Sequence, residues 1–368
     1  MGEQAVYVSA EVLHRFMQDV FKGMGVPAGD AKISADILIQ SDLFGIESHG
    51  IGRLKYYYDR LITGQHKPVT KFEIVREAPA TAVVDGNHGM GMVIGYKAMS
   101  MAIEKARVYG MGSVAVRNST HFGIDGYYPL MAAREGMIGM SFTNARPSIA
   151  PTFGVQPMLG TNPIAFGAPT DEEFPFLYDA ATSITQRGKF ETYERKGLPG
   201  NPGWVTDQNG ETVTDASAVL AGLSKETVAL LPLGGAGEDL GGHKGYGFAT
   251  IVEILSASLQ GGAFLHALSG FDAQGRKAPF RVGHFFMAIS VESFTSLEEF
   301  KKTTGGILRE LRAARRAPGQ ERIYTAGEKE FESEKIVRVQ GVPVVPALQK
   351  DIKFLEKELK ISGYDFPF

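Results

Sequence analysis

Three polar side chains at residues 47–53, in the sequence ESHGIGR, could together bind a small carboxylic acid. Arg53 carries a planar guanidinium that can hold a carboxylate through two parallel hydrogen bonds. If Ser48 caps the helix that follows, His49 lies at the positive end of that helix, which keeps its ring neutral near pH 7. Arg53 then lies one turn further along the same face. The spacing predicts an acid-binding site, although an ordinary helix start can contain the same residues.

A further candidate, His121, follows a predicted strand at residues 113–117, in the sequence RNSTHFG. Residues just beyond the carboxyl end of a strand commonly line the active sites of α/β proteins. An imidazole with an ordinary pKa of about 6.5 can accept or donate a proton near neutral pH. The position indicates an acid–base residue, although a histidine on a loop is most often only solvated.

The other histidines give no reason to expect a metal. None of the eight forms a His-Glu-x-x-His pair or another closely spaced metal pattern. The chain contains no cysteine, which excludes disulfides, cysteine-ligated zinc, iron–sulfur clusters and thiol nucleophiles. The sequence therefore predicts a site without a metal.

Two glycine-rich segments could approach a phosphate. Residues 86–95 join a predicted strand to a predicted helix, an arrangement that can present free N–H groups to an anion. The spacing Gly-x-Gly-x-x-x-Gly is not the dinucleotide fingerprint, however, and a tight turn alone explains it. In the second segment, GHKGYG at residues 242–247, no Ser or Thr follows Lys244, so it is no Walker motif. Lys244 could still reach a phosphate or a ribose.

Composition places the chain among ordinary globular proteins. Hydrophobic residues make up 43% and charged residues 21%, and the 45 glycines indicate many tight turns. A net charge of −3 gives no electrostatic reason to bind nucleic acid or an anionic membrane, and a solvated helix face explains the basic run at residues 309–316. With no signal pattern and no run of about 18 apolar residues, we expect a cytoplasmic protein without a membrane span.

The elements that must position these residues are helices first and an alternation of strands and helices afterwards. Periodic apolar residues predict a first helix at 9–23, a second that ends near residue 44, and a third at 52–63. From Pro68 onwards the alternation predicts an α/β core. The predicted strands are 72–76, 80–85, 113–117, 138–143 and 285–291. The predicted helices are 96–109, 127–135, one from beyond residue 247 to near 261, and 296–316, with a short strand and a helix at 346–361 in the tail after residue 328.

Taken together, the motifs resemble those of the type-2 malate/L-lactate dehydrogenase family. That family also contains sulfolactate and ureidoglycolate dehydrogenases, diketogulonate reductases and cyclic-imine reductases. The matching motifs, in order, are ESHGIGR at 47–53, RNSTHFG at 117–123, TNA at 143–145, GTNP at 160–163, DAAT at 179–182, GK at 188–189, GGHKGYG at 241–247 and GE at 327–328. The resemblance runs from about residue 8 to 340, and residues 123–195 and 231–247 look most like archaeal and bacterial malate dehydrogenases.

The resemblance implies an α/β dinucleotide-binding fold that is not the Rossmann fold, which agrees with the failed fingerprint. It implies that residues 76–295 form the cofactor-binding domain, that residues 1–75 and 296–368 form a helical substrate-side and dimer region, and that the protein is a homodimer. By resemblance, His121 is the proton acceptor, and Ser48, His49 and Arg53 face the substrate. The implied contacts to NAD or NADP are Asn144, Ala145, Asp179, Ala180, Ala181, Lys244, Gly327, Glu328 and Lys329.

We therefore expect a hydride-transfer enzyme for a small 2-hydroxy or 2-oxo acid, such as malate or lactate. The alternatives are a cyclic-imino-acid reductase, a sulfolactate or ureidoglycolate dehydrogenase, and a non-catalytic nucleotide-binding protein. A dicarboxylate needs a second cation, for which Arg187, Lys189 and His243 are all candidates. The residues leave the choice between NAD and NADP open.

Overall fold

The computed structural model describes residues 5–368 and contains a seven-stranded mixed sheet with helices on both faces. The strands are β1 Val6–Val8, β2 Glu73–Glu77, β3 Thr81–Asp85, β4 Met111–Ser119, β5 Met137–Thr143, β6 Ile164–Ala168, β7 Phe176–Ala180, β8 Val205–Asp207, β9 Val228–Leu230, β10 Val282–Ser290 and β11 Val342–Val344. The helices are α1 Ala10–Gly23, α2 Ala28–Leu43, α3 Leu54–Ile62, α4 Gly91–Tyr109, α5 Tyr127–Arg134, α6 Arg187–Lys196, α7 Ala216–Lys225, α8 Gly242–Ala257, α9 Leu297–Ala313, α10 Glu328–Gln340 and α11 Pro346–Leu359.

The strand order in the main sheet is β2-β3-β4-β10-β5-β6-β7. Strands β3 and β4 are parallel, and the other neighbouring strands of this sheet are antiparallel. A Rossmann sheet is parallel throughout its nucleotide-binding halves. The prediction of an α/β fold other than the Rossmann fold is therefore confirmed.

The central strand β10 is buried on both faces, which explains its nearly continuous run of apolar residues. Phe286 points into the larger core, where it meets α4 and the N-terminal helices. Phe285, one residue earlier, points to the opposite face and packs with Val252 of α8. Because successive side chains of a strand alternate between faces, β10 joins the two layers of helices.

The two ends of the chain pack together. Strand β1 pairs antiparallel with β11, with Val6 opposite Val344. The same core holds Phe16 of α1 and Phe366 near the C-terminus, whose rings meet edge to face at 5.3 Å. The two predicted terminal regions are thus in contact, while the predicted division into domains at residues 75 and 296 stays a prediction.

A smaller unit with its own core follows β7. Helices α6 and α7 pack on the two-stranded sheet β8–β9. Their buried contacts include Phe190 of α6, Val219 of α7 and Leu230 of β9. This unit adjoins residues 179–186, which form one wall of the cavity described below.

The structure differs from the prediction at several elements. Helix α4 begins at Gly91, five residues before the predicted start at residue 96, and no element was predicted for the segment that contains β6 to β9, α6 and α7. Helix α8 begins at Gly242, five residues earlier than predicted, because Gly242 and Gly245 can lie directly against the backbone oxygens of Gly235 and Leu233, where a Cβ would overlap. The 13-residue helix α10 was not predicted at all; only the strand and the helix after it were. Its sequence is rich in helix-forming Glu and Lys but has no apolar stripe, so periodicity could not reveal it.

None of the helices within residues 5–368 is long and apolar enough to cross a lipid bilayer.

Candidate active site

The predicted motifs meet around a cavity of about 570 Å³ between the N-terminal helices and the edge of the sheet. Its walls come from the segment before α3, the loop after β4, the loop after β5 and the segment after β7. Of the predicted site residues, those on the walls are Ser48, His49, Arg53, His121, Asn144, Ala145, Asp179, Ala180 and Ala181. A cavity of this size is typical of small-molecule sites.

His121 is held by a tyrosine that the sequence did not single out. The Tyr57 hydroxyl oxygen lies 2.6 Å from His121 Nδ1, and Tyr57 is fully buried on α3. Next to His121, the Thr120 hydroxyl accepts a hydrogen bond from the Gly91 N–H and donates one to the Gly89 carbonyl, both at 2.8 Å. The backbone and one ring nitrogen of His121 are thus fixed, which leaves Nε2 for a ligand in the cavity.

This packing also decides the role of the first glycine-rich segment. A Cβ on Gly91 would overlap the backbone carbonyl oxygens of Thr120 and His121. The start of α4 is therefore covered by the loop that carries His121, and its N–H groups are not open to a phosphate. The tight-turn interpretation agrees with the structure for residues 86–90, whereas Gly91 already belongs to α4, where glycine permits close packing beneath the candidate acid–base residue.

His49 stacks on His121, with ring centroids 5.5 Å apart. Ser48 does not cap a helix as predicted: its Oγ lies 2.8 Å from His49 Nδ1, and the helical turn begins only at Ile51, whose N–H donates to Asp42 at 2.8 Å. Burial, aided by the charge of Arg53, lowers the pKa of His49 to about 4. The ring is neutral near pH 7 as predicted, but burial rather than a helix end is the cause.

Arg53 is oriented by two contacts. Its Nε donates to the Ser48 carbonyl at 2.7 Å, and its guanidinium carbon lies 5.8 Å from the centroid of the Tyr56 ring. Both terminal nitrogens of Arg53 lack a partner among residues 5–368, so they can form the two parallel hydrogen bonds that a carboxylate requires.

The electrostatics of the cavity keep His121 neutral. Burial lowers the pKa of His121 well below its usual range, and the neighbouring His49 and Arg53 add to the effect. Neutral imidazole is the form that can accept a proton, so the geometry and the charge state of His121 agree with an acid–base role.

Two aspartates, Asp125 and Asp179, also line the cavity. The Gly126 N–H donates to Asp179 at 2.7 Å, and Asp125, which was not predicted, accepts a hydrogen bond from the Ser141 hydroxyl. Burial raises the pKa of Asp179 to about 6, and burial together with the nearby Asp179 raises the pKa of Asp125 well above its usual range. This wall is therefore less negative than two ordinary carboxylates would make it.

Asn144 lines the cavity, but its side chain binds the protein. Its amide nitrogen lies 3.3 Å from a Glu253 carboxylate oxygen and 3.2 Å from the Ala263 carbonyl, and its oxygen accepts from the Gly283 N–H at 2.8 Å. The side chain thus ties the loop after β5 to α8 and β10. Its backbone N–H also donates to the Gly283 carbonyl at 3.2 Å, so a polar contact between Asn144 and a ligand would use its backbone carbonyl oxygen.

The remaining predicted cofactor residues lie away from the cavity wall. Lys244 is exposed in a separate depression beside Leu233 and Phe248. Glu328 is buried and forms ion pairs with Arg312 and Arg322.

Two other predicted contacts lie near the outer end of β7. Gly327 lies against Leu177 on this strand, and a Cβ there would come within 3.0 Å of the Leu177 nitrogen. The Lys329 ammonium lies 4.7 Å from the centroid of the Tyr324 ring. Their contacts with a cofactor stay predictions.

The three cations suggested for a second carboxylate are also absent from the wall. Arg187 contacts Glu191 and Ser224, the Lys189 ammonium lies 4.5 Å from the centroid of the Trp204 ring, and His243 is exposed on α8. Arg146 lines the cavity instead. Its position directly after the TNA motif was the only sign of it in the sequence.

The cavity offers an unpartnered polar atom to which a nicotinamide cofactor could form a hydrogen bond. The Oδ2 atom of Asp125, a residue on the cavity wall, is buried and has no hydrogen-bond partner within residues 5–368. Buried polar atoms normally have partners, so this unpartnered oxygen fits a polar ligand in the cavity. The residues present are therefore compatible with such a cofactor.

Comparison with known proteins finds the same family that the sequence motifs resemble. The family model for malate/L-lactate dehydrogenase matches residues 8–353. The chain is 46% identical to malate dehydrogenase of Pyrococcus abyssi, covering 99% of this chain and 98% of the relative. It is 40% identical to L-sulfolactate dehydrogenase of Methanocaldococcus jannaschii, covering 95% and 96%. The crystal structure of malate dehydrogenase from Entamoeba histolytica superposes with a TM-score of 0.95 at 44% identity, covering 99% of this chain and all of that one.

Proposed function

The chain belongs to the malate/L-lactate dehydrogenase family, as its motifs predicted, and we propose that it oxidises malate to oxaloacetate and catalyses the reverse reduction. As a member of that family it is a nicotinamide-dependent dehydrogenase of 2-hydroxy acids. The observation that carries the proposal is the convergence of His121, His49 and Arg53 on one cavity wall, with His121 fixed by Tyr57. The full-length similarity to malate dehydrogenases supports the choice of acid.

Arg53 holds the C1 carboxylate of the substrate in this proposal. Its Nε is already bound to the Ser48 carbonyl, so the guanidinium presents its two terminal nitrogens in a fixed orientation. A carboxylate bound in this way has its C2 carbon held in place, which reduces the entropy lost on reaching the transition state. Ser48 and His49 lie beside it; when the Ser48 hydroxyl donates to His49 Nδ1, the His49 Nε2–H is free to donate a hydrogen bond to a substrate oxygen.

His121 moves the proton. In the oxidation of the 2-hydroxy acid, its neutral Nε2 accepts the hydroxyl proton; in the reduction, the imidazolium returns it to the carbonyl oxygen. For Nε2 to accept a proton, Nδ1 must carry the other ring hydrogen and donate it to the Tyr57 oxygen at 2.6 Å. The Tyr57 hydroxyl can accept or donate at this distance, and the Gly123 N–H also lies 3.4 Å from Nδ1. We propose that the Tyr57 oxygen accepts the Nδ1 hydrogen and so holds the tautomer that the reaction needs.

The nicotinamide cofactor, NAD or NADP, supplies the hydride acceptor and donor when bound. We propose that Asn144, Ala145 and residues 179–181 contact it at the cavity, with Lys244 and residues 327–329 contacting parts that extend beyond the wall. The unpartnered Oδ2 of Asp125 on the cavity wall supports a polar ligand there.

A turnover assay tests the proposal. Purified protein is supplied with NADH or NADPH and with oxaloacetate, pyruvate, sulfopyruvate or a cyclic imino acid, and cofactor oxidation is followed. We expect the highest kcat/KM with oxaloacetate, and the same assay gives the preferred cofactor. Faster reduction of the cyclic imino acid would contradict the proposal, as would cofactor binding without turnover of any substrate.

The variant His121→Ala tests the proposed role of His121. It should lower turnover by about 10²–10⁴, the usual contribution of a positioned acid–base group, while cofactor affinity stays nearly unchanged. A loss of less than tenfold would remove His121 from this role and assign the proton transfer to His49.

We also propose that the protein is a homodimer in the cytoplasm, where its nicotinamide cofactor is available. Helix α8 supports the dimer. Its buried face packs on β10 and β5, yet Phe248, Ile251 and Ile254 on its other face are each about half exposed in the single chain. A helix that is apolar all round is normally buried, which favours a second copy against this face.

A further inference from the structure

Two arginines lie on the cavity wall, and they differ in what they already bind. Arg53 is fixed by its Nε and by the Tyr56 ring. Arg146, in the loop after β5, forms no hydrogen bond, ion pair or ring contact with any residue in the range 5–368. Its guanidinium is exposed toward solvent and cavity. Arg146 has no structural role that would explain its position.

The backbone on both sides of Arg146 is nevertheless firmly held. Asn144, two residues before it, is bonded to Glu253, Ala263 and Gly283. Two residues after it, the Ser148 N–H donates to the Leu159 carbonyl at 2.8 Å. A side chain without partners thus projects from an anchored segment. This arrangement is expected of a ligand-binding group, because a fixed backbone limits the conformational entropy lost on binding.

We infer that Arg146 binds the distal acidic group of the substrate and so selects 2-oxo and 2-hydroxy acids that carry a second anionic group. The inference rests on the proposed function, which assigns the C1 carboxylate to Arg53. The other suggested cations bind other residues or are exposed away from the cavity. Among the described residues, Arg146 is therefore the second arginine on this wall, beside Arg53. A guanidinium suits either a carboxylate or a sulfonate, since it offers several donors in one plane.

The charge of the cavity agrees with a dianionic substrate. The wall contains Arg53 and Arg146 on the positive side. On the same cavity wall, burial raises the pKa of Asp179 to about 6 and the pKa of Asp125 well above its usual range, which reduces the negative charge near neutral pH. A substrate with two anionic groups would therefore meet two cations and a partly neutralised pair of aspartates.

The test compares substrates that differ in the distal group. In the variant Arg146→Gln, kcat/KM for oxaloacetate should fall by about 30-fold or more, as expected when one partner of a charged pair is removed at a binding site. The kcat/KM for pyruvate, which lacks the second acid, should change by less than about threefold. The variant Arg146→Lys should be intermediate, because lysine keeps the charge but not the planar donors. The kcat/KM for sulfopyruvate, measured in parallel, shows whether Arg146 binds a sulfonate in the same way.

The matched control is Arg107→Gln, which removes an arginine of α4 that pairs with Glu135 and is not on the wall. It should leave both substrates unaffected. An equal loss for oxaloacetate and pyruvate in Arg146→Gln would overturn the inference, as would a rise confined to the KM of the cofactor, which would assign Arg146 to the cofactor instead. If the parent enzyme reduces no 2-oxo acid, the proposed function itself fails. If the parent prefers oxaloacetate and Arg146→Gln keeps that preference, only the role of Arg146 fails.

Discussion

At His121, the proposed proton-transfer residue, burial and the proposed hydrogen bond to Tyr57 have opposite effects on the pKa. Burial and the neighbouring His49 and Arg53 lower the pKa of His121 and favour the neutral ring. A Tyr57 oxygen that accepts the Nδ1 hydrogen, as proposed above, would favour the imidazolium. The first effect is the larger, since the pKa of His121 lies well below its usual range. Oxidation of a 2-hydroxy acid needs the neutral ring. In the parent enzyme, kcat/KM for oxidation should therefore stay level as pH falls to 6.5 and decline only at lower pH.

The variant Tyr57→Phe separates the two effects. Removal of the hydroxyl deprives Nδ1–H of its acceptor, so the imidazolium is destabilised and the acidic limb of kcat/KM should move to still lower pH. Turnover should fall by about tenfold, since a hydrogen bond to a charged group contributes about 1.5 kcal/mol or more. The measurement is a pH–rate profile of both proteins over the same buffers.

The neighbouring tyrosine provides the control for Tyr57. Tyr58→Phe removes a hydroxyl from the next residue of α3, whose ring packs edge to face on Phe354, away from His121. Its pH–rate profile should match that of the parent. An unmoved limb in Tyr57→Phe, with turnover within twofold of the parent, would show that Tyr57 only fills space.

The sequence indicated the candidate residues that belong to short motifs, and it missed those whose role comes from folding. Ser48, His49, Arg53 and His121 were selected by residue type and by position at the end of an element, and all four line the cavity. Tyr57 is one of three consecutive tyrosines in α3, and nothing local shows which of them faces a histidine 64 positions later. Only the tertiary contact distinguishes it.

At the scale of elements, the start of α4 and the loop after β4 support each other. Gly91 leaves room for the carbonyls of Thr120 and His121, and its N–H donates to the Thr120 hydroxyl. The variant Gly91→Ala should therefore push the loop outward. We expect the free energy of unfolding to fall by about 1–3 kcal/mol, as for other overpacked sites, and turnover to fall at least tenfold because His121 is displaced. Urea unfolding and the oxaloacetate assay measure the two effects.

Gly306→Ala is the control for this prediction. Gly306 lies inside α9, and a Cβ there would have nothing within 4 Å. Alanine should stabilise this helix by about 0.5–1 kcal/mol because it has less backbone freedom to lose, with no effect on turnover. Similar stability and turnover in Gly91→Ala and the parent would mean that the loop carrying His121 does not depend on close packing against α4.

Element prediction succeeded where apolar periodicity was clear and failed where it was absent. Helix α1 and strand β5 were predicted to within one residue at each end. Helix α10 was missed because its apolar residues follow no stripe. The sheet order was also out of reach: β10 lies between β4 and β5 although about 140 residues separate it from β5, and sequential strands are usually neighbours.

At the scale of the whole molecule, α8 connects the site to the surface. On its inner side, Glu253 accepts hydrogen bonds from the amides of Asn144 and Asn162, which fix the loops that line the cavity. On its outer side, Ile251 and Phe248 are 50% and 47% exposed in the single chain. A second chain against the outer face would hold α8, and with it Glu253, in place. The proposed dimer is therefore expected to stabilise the site as well as to cover apolar surface.

The last prediction places a charge in that face. In sedimentation velocity the parent should have the mass of two chains of 39.8 kDa each, and Ile251→Glu should have the mass of one, because burying an unpaired carboxylate in an apolar contact is strongly unfavourable. The control is Val339→Glu on α10, where the valine is 86% exposed and already solvated; this variant should remain a dimer. A parent protein with the mass of one chain would contradict the proposed dimer outright. An Ile251→Glu variant that stays dimeric would instead mean that the two copies meet through a different surface, since a contact centred on α8 cannot accommodate two facing glutamates without losing affinity.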